Sequence, residues 1–260
     1  MTAPAGDAAA AVRRYLDAVR SSAERDLGRR AAGTEVVGAA DRAGSSSAVC
    51  YPCGDVTIVW CAPEAVDRLR PLDRDDALTH EAFVDEAARL GAGPPTGGRN
   101  LVLGPEARSA AIQRTVRSAT APLAIDRDDP ADVALLAAFV EACDADDLDE
   151  AELDLDDLDP AIVANDLPDA PGTLAAVAYA RPWDLDGGFD DIGVIGHPAH
   201  RGHGLAAAAV RALIARPGGD EREPLYRHDL ANDASARVAD ALGFTPAQTL
   251  AAVDITSIPT

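Results

Sequence analysis

An α/β fold follows from three features of the chain. Short β-branched and apolar runs, such as residues 56–60 and 191–196, read as strands. Stretches with helical spacing or helix caps, such as residues 205–215 and 233–242, lie among them. Glycine- and proline-rich segments punctuate the two kinds.

In order along the chain, residues 7–29 are rich in Ala and Arg, and Val12, Tyr15, Leu16 and Val19 fall on one helical face. Residues 30–47 are small and polar and read as a loop or edge. Residues 56–60 form a strand, Pro63 opens a short helix reaching Leu69, and Thr79 caps a second helix through Leu90. Residues 91–98 read as a loop and 101–103 as a short strand. Residues 121–126 suit a strand, and Asp129-Pro130 starts a helix. Residues 144–159 are almost wholly Asp, Glu, Leu and Ala, and lack the Gly and terminal Glu of an EF-hand, so they read as a solvated acidic helix and loop. Strands are expected at 173–180, 191–196, 224–227 and 249–255. Helices are expected at 205–215 and at 233–242, the latter capped by Asn232 and stopped by Gly243. A turn is expected at Gly187-Gly188, and Trp183 and Phe189 flank that hairpin as packing residues or as the rim of a site.

The 260 residues carry a net charge of -21, all 23 basic residues are Arg, and Asp supplies 33 of the 44 acids. Such a balance argues against a nucleic-acid partner, which needs a basic surface to release counterions. Dense carboxylates with no Lys and 4% aromatics suit a salty solvent, in which the Debye length falls to ~3 Å and net charge steers little. No run approaches the ~18 apolar residues of a membrane span, and the first residues do not read as a secretory leader, so a cytoplasmic location is expected. Cys50 and Cys53 have C-x-x-C spacing, but no second pair or His pair completes a metal site; small buried residues are the expectation.

Residues 192–206 carry the chemistry. A strand runs into a turn containing Gly202 and Gly204, and a helix follows. Its first turn offers unpaired amides and a positive dipole end, the two glycines allow close approach, and Arg201 adds a cation suited to phosphate. The Walker loop fails for want of Lys and the Rossmann fingerprint for want of its third glycine. His197, His200 and His203 read as residues of this loop and not as a zinc site, because no carboxylate or Cys sits close by in sequence.

The hexapeptide Arg201-Gly202-His203-Gly204-Leu205-Ala206 resembles the Q/R-x-x-G-x-G/A motif of the GNAT superfamily of acyl-CoA N-acyltransferases. About thirty residues on, Asn232, Ser235, Gly243 and Phe244 resemble the family's second motif, N-x-x-A/S-x-x-L-(Tyr)-x-x-x-G-F. The resemblance covers residues 116–260 and implies a mixed, mostly antiparallel sheet flanked by helices. Residues 1–115 are expected as an N-terminal α/β extension, one reading of which is a degenerate half of the same kind. The resemblance also implies acetyl-CoA as acyl donor and a small-molecule or peptide amine as acceptor, in a monomer or homodimer. Val194, Ile195 and Gly196 would take the pantetheine arm, residues 201–206 the pyrophosphate, and Asn232 the cofactor near its thioester. The strand at 225–227 would splay from its neighbour to leave a cleft. The family's usual tyrosine falls at Ala239, which leaves the general acid open, with Tyr226 as a substitute and Asp191 and His197 as candidate bases. The vacancy also motivates an alternative, a non-catalytic acyl-CoA-binding module.

Overall fold

In a computed structural model, the described residues are 5–113, 123–153, 162–167, 170–183, 188–216 and 222–259. The first half contains helix α1 (Ala5–Leu27), strands β1 (Gly33–Gly38), β2 (Ser47–Cys53) and β3 (Val56–Cys61), helices α2 (Val66–Leu69) and α3 (His80–Arg89), strand β4 (Pro95–Val102) and helix α4 (Pro105–Gln113). The second half contains β5 (Leu123–Ala124), α5 (Pro130–Ala142), α6 (Ala145–Glu150), β6 (Ile162–Leu167), β7 (Ala170–Trp183), β8 (Phe189–Gly196), α7 (Leu205–Ala215), β9 (Glu223–Asp229), α8 (Asp233–Leu242) and β10 (Thr245–Asp254).

All ten strands join one sheet in the order β1-β3-β2-β10-β4-β9-β8-β7-β6-β5. Only the β1/β3 and β8/β9 neighbours run parallel, so the sheet is mixed and mostly antiparallel. The hydrogen bonding crosses residue 115 without a break. Strand β4 of the first half lies between β9 and β10 of the second, and β10 in turn pairs with β2.

Period-two alternation assigns side chains to the two faces. On β2, Val49, Tyr51 and Cys53 meet Tyr15 and Val19 of α1, while Ala48 and Cys50 meet Phe83 and Ala87 of α3. On β7, Val177 and Tyr179 face Leu136 and Phe139 of α5, while Ala176, Ala178 and Ala180 face Val210 and Leu213 of α7. The small alanines let α7 lie close on the sheet.

Most expected elements are present, with three corrections. Residues 30–47 hold the buried strand β1, and the burial of Glu35 is offset by Arg29, which donates twice to its carboxylate (2.6 and 2.7 Å). Burial alone would raise the Glu35 carboxyl, but these bonds hold it below its usual range. Residues 95–98, expected as loop, begin β4, because β10 offers them an antiparallel edge. The pairs Asp166↔Leu174 and Leu167↔Ala170 extend the 173–180 strand backwards toward β6. Thr79, Asp129 and Asn232 cap their helices as expected, and Gly243 ends α8 at φ 84°. Residues Gly187 and 217–219, expected as turns, lie outside the described residues, as does much of the acidic run beyond Leu153.

Cys50 and Cys53 lie in β2 as free, buried thiols, each pushed up to about 12 by burial. A thiol so displaced is neutral and unreactive near pH 7.

Candidate functional site

The two edges of β8 differ. Strand β7 pairs with it at eight positions, from Trp183↔Phe189 to Ala176↔Gly196. Strand β9 pairs with it at four, ending at Ile192↔Tyr226. Beyond that point β9 stays with β4, through Asn100↔Arg227, Arg99↔His228 and Gly98↔Asp229. Gly193, Val194, Ile195 and Gly196 therefore have a β7 partner on one edge and no β9 partner on the other.

At the end of this opened edge the chain makes a short 3-10 turn, Pro198–His200, and then enters α7. Gly202 has φ 82° and Gly204, the N-cap of α7, has φ 74°, conformations that favour glycine. Among the described residues, a Cβ at either position would meet nothing within 4 Å. Gly204, as N-cap, brings no side chain of its own to cap α7. The eleven-residue helix α7 thus brings the positive end of its dipole beside the opened strand.

Asp191 and Tyr226 come to this junction on opposite faces, whereas His197 lies at the far end of β8. The Asp191 carboxylate accepts two bonds from Arg227 (2.9 and 2.5 Å). The His197 Nδ1 accepts from the Ala199 amide at 3.2 Å, which places its proton on Nε2; burial first, then His200 and Arg201, hold the ring below the usual imidazole range. It stands against Phe139 and His200. Tyr226 is 1% exposed and shares a 2.8 Å hydrogen bond with Ser235 of α8. Burial pushes its phenol up to about 12. Ala239, also buried, lies in the same cluster as Tyr226 and Phe244.

The loop and the second motif are engaged by a single acidic segment. Asp147 of α6 pairs with Arg201, whose Nε also donates to the Gly196 carbonyl at 3.4 Å. Glu150 accepts from the Asn232 amide at 2.5 Å, while the Asn232 Oδ1 accepts from Ser235 N and caps α8. Glu152, held at φ 52°, reaches Arg181 and Arg227 at 3.5 and 3.2 Å. His203 turns its Nδ1 toward the carbonyls of His200 and Arg201. Among the described residues, no group of three or more His, Cys, Asp or Glu is placed to hold a metal ion, and no helix is long and apolar enough to cross a membrane.

Sequence reasoning missed Tyr179, Arg181, Arg227 and Glu152. The alternation of alanines with Val177, Tyr179, Arg181 and Trp183 along β7 was the available signal for the first two: it sets the large side chains on one face. Glu152 carried none within its acidic run. Trp183 and Phe189 pack against Tyr15 of α1, at 6.3 and 5.9 Å between ring centroids, and Arg227 lies over the Trp183 ring at 5.6 Å. A groove of about 380 Å³ elsewhere, bounded by Arg74, Leu78, Thr79 and Arg89, has its two arginines facing Glu86 and holds none of these residues.

No family model and no curated protein matches the chain. Solved structures that it is similar to include an acetyltransferase from the GNAT family of Colwellia psychrerythraea, at 13% identity and TM-score 0.45 over 75% of each chain. A GCN5-related N-acetyltransferase from Sphaerobacter thermophilus is similar at 12% identity and TM-score 0.45, over 66% of this chain and 55% of that one. A GCN5-related N-acetyltransferase-like protein from Streptococcus suis is similar at 14% identity and TM-score 0.42, over 80% and 83%. The chain spans 65% of a GNAT-family protein from Novosphingobium aromaticivorans. Likeness at this level is too slight to bear on chemistry, which rests here on the strands and side chains themselves.

Proposed function

We propose that this protein is an acetyl-CoA-dependent N-acetyltransferase that moves the acetyl group directly to an amine. The observation that carries the proposal is the opened edge of β8 running into the glycine-bearing start of α7. Along Val194, Ile195 and Gly196, the backbone groups that turn away from β7 would pair with the amides of a pantetheine arm like one more strand. The amides around Gly202, His203, Gly204, Leu205 and Ala206, with Arg201, would take the pyrophosphate. The donor set fits such a group, since no atom of the described residues stands within 4 Å of a Cβ built on either positive-φ glycine. Asp147 and Glu150 now engage Arg201 and Asn232, and an incoming diphosphate would have to displace the first of these contacts.

Acetyl-CoA supplies an activated acyl carbon. The acceptor amine, with a pKa of ~10.4 for an alkylamine, arrives protonated and must lose a proton before attack. Asp191 and Glu152 are the carboxylates at the junction, and the Arg227 and Arg181 guanidiniums hold them in place. Attack forms the C–N bond, and the C–S bond breaks to release thiolate. Tyr226 stays protonated up to about 12 and is therefore a proton donor throughout the working range. Its phenol comes from the strand beside α8 and packs in the cluster that includes Ala239, which supports a substituted general acid over a site without one.

The test is free-thiol release from acetyl-CoA at molar salt with a panel of amines, amino acids and peptides. Release that depends on amine, with matching acetylated product, supports the proposal. Binding without release across the panel overturns the catalytic reading, and no binding overturns the cofactor site as well.

A further inference from the structure

Tyr179 is the largest side chain at the junction that no motif marks. It is 2% exposed, and its hydroxyl is fully buried without a hydrogen-bond partner among the described residues. Such an atom is costly, and proteins seldom keep one without use. Its position is specific. Tyr179 is the cross-strand partner of Gly193, the first residue of β8 beyond the last β9 pair. Its ring lies against the Gly193 backbone: a Cβ there would fall 2.1 Å from the ring Cζ and 2.3 Å from the hydroxyl oxygen. Gly193 is thus required so that the phenol can reach the opened edge.

The surroundings bear on its state. Arg181 lies 5.4 Å from the ring centroid, and Asp191, Glu152 and Arg227 are close enough to act on its charge. Burial raises the phenol far above its usual range, so it holds its proton and offers only a donor to a negative acceptor. Tyr226, the partner of Ile192 one position earlier on β8, faces the opposite side of the sheet toward α8. The two phenols therefore flank the point where the strands part, one from each face. Tyr226 is bonded to Ser235, and Tyr179 is bonded to nothing described.

We infer that Tyr179 is a catalytic residue whose hydroxyl donates a hydrogen bond to the acyl oxygen as it becomes an oxyanion. The inference rests on the acetyltransferase reading. As the amine nitrogen bonds the acyl carbon, the carbonyl electron pair moves to oxygen, and the Tyr179 O–H meets that charge. The pair then returns, and the C–S electrons leave with the thiolate. Tyr179 keeps its proton throughout, and the net step converts thioester and ammonium to amide, thiol and one proton. Because the partner arrives only with the reacting carbonyl, the ground state leaves the hydroxyl unbonded and the stabilisation falls on the transition state.

Tyr179→Phe is the test, read by steady-state kinetics and thermal melting. Loss of a single donor of this kind lowers kcat by about 100-fold, with KM for acetyl-CoA within about twofold. Tm should hold or rise, because the variant removes an unsatisfied buried hydroxyl. Unchanged kcat, or a raised KM with unchanged kcat, overturns the inference while wild-type turnover keeps the acetyltransferase reading intact. Absence of wild-type turnover breaks that reading first. Should the variant fold poorly, 3-fluorotyrosine placed at 179 alone strengthens the donor without changing shape much. A kcat moved several-fold then supports the role, and an unmoved kcat overturns it.

Discussion

The two edges of β8 share one backbone and have opposite fates. Toward β7 the strand is paired along its length, and Ala176, Val177, Ala178, Ala180, Ile192 and Ile195 of the two strands pack under α5 and α7. Toward β9 the pairing stops halfway, and the residues around the stop are Asp191, Tyr226, Arg227 and, across the strand, Tyr179. A sheet normally pairs its backbone groups, since unpaired ones cost as much as a lost hydrogen bond. Half a strand left open in mid-sheet, with ionisable and phenolic groups gathered at the fork, is the feature on which the proposed acyl-carrier site rests. The β1/β3 seam makes the contrast sharper: it is also parallel, yet it pairs at all six positions of β1, and the thiols near it are buried and inert.

The largest effect should come from filling the mouth of the opened edge. Gly204→Val places a branched side chain at φ 74° over the first amides of α7, and acetyl-CoA affinity by calorimetry should fall by at least about 100-fold. Retained affinity would move the diphosphate elsewhere. Next come the two phenols at the fork, which separate by stability. Tyr226→Phe should lower kcat by roughly 10- to 100-fold and also lower Tm, since it strands the Ser235 hydroxyl at a cost of about 1 kcal/mol. Tyr179→Phe should leave Tm unharmed. Equal melting shifts in the two would erase the distinction between a bonded and an unbonded phenol.

A smaller effect concerns the acidic segment across the mouth. Asp147→Asn frees Arg201 for the cofactor, so binding of acetyl-CoA should tighten by about threefold at low salt, and the gap should close at molar salt. Weaker binding in the variant would mean that Asp147 orders the loop and does not compete for it. The smallest change is spread over the whole sheet. All four tyrosines are raised above the usual phenol range, with burial the first cause in each. A raised phenol favours the fold fully below the free value of ~10, and that contribution is lost as pH climbs toward the folded value. Absorbance at 295 nm should therefore stay flat to about pH 10 and then rise together with loss of the circular dichroism signal. A tyrosinate signal well below pH 10 would show a phenol open to water.

Much of this site was legible in the sequence, because local rules govern it. The Gly-x-Gly turn, the caps at Asn232 and Gly243, and the strand before them are short-range features, and the fork was implied by the motif they compose. What escaped depends on pairing at a distance. β1 reads as a polar loop because Glu35 sits in it, and only Arg29 makes that burial tolerable. β4 is drawn into the centre of the sheet by β10, more than 140 residues away in the chain. Tyr179 looked like any core aromatic until its cross-strand partner proved to be the glycine at the fork. Glu152 was one acid among many, and its left-handed backbone and two arginine partners exist only in the fold.

Amide hydrogen exchange with and without acetyl-CoA, at molar salt, addresses the opened edge most directly. The predicted result is protection gained at Val194 and Gly196, whose amides face the opened edge, and at 202–207 together, with the β7-paired residues 176–180 unchanged. Protection confined to other segments, with those amides exchanging as before, would contradict the placement of the acyl carrier on β8 and with it the chemistry assigned to the fork.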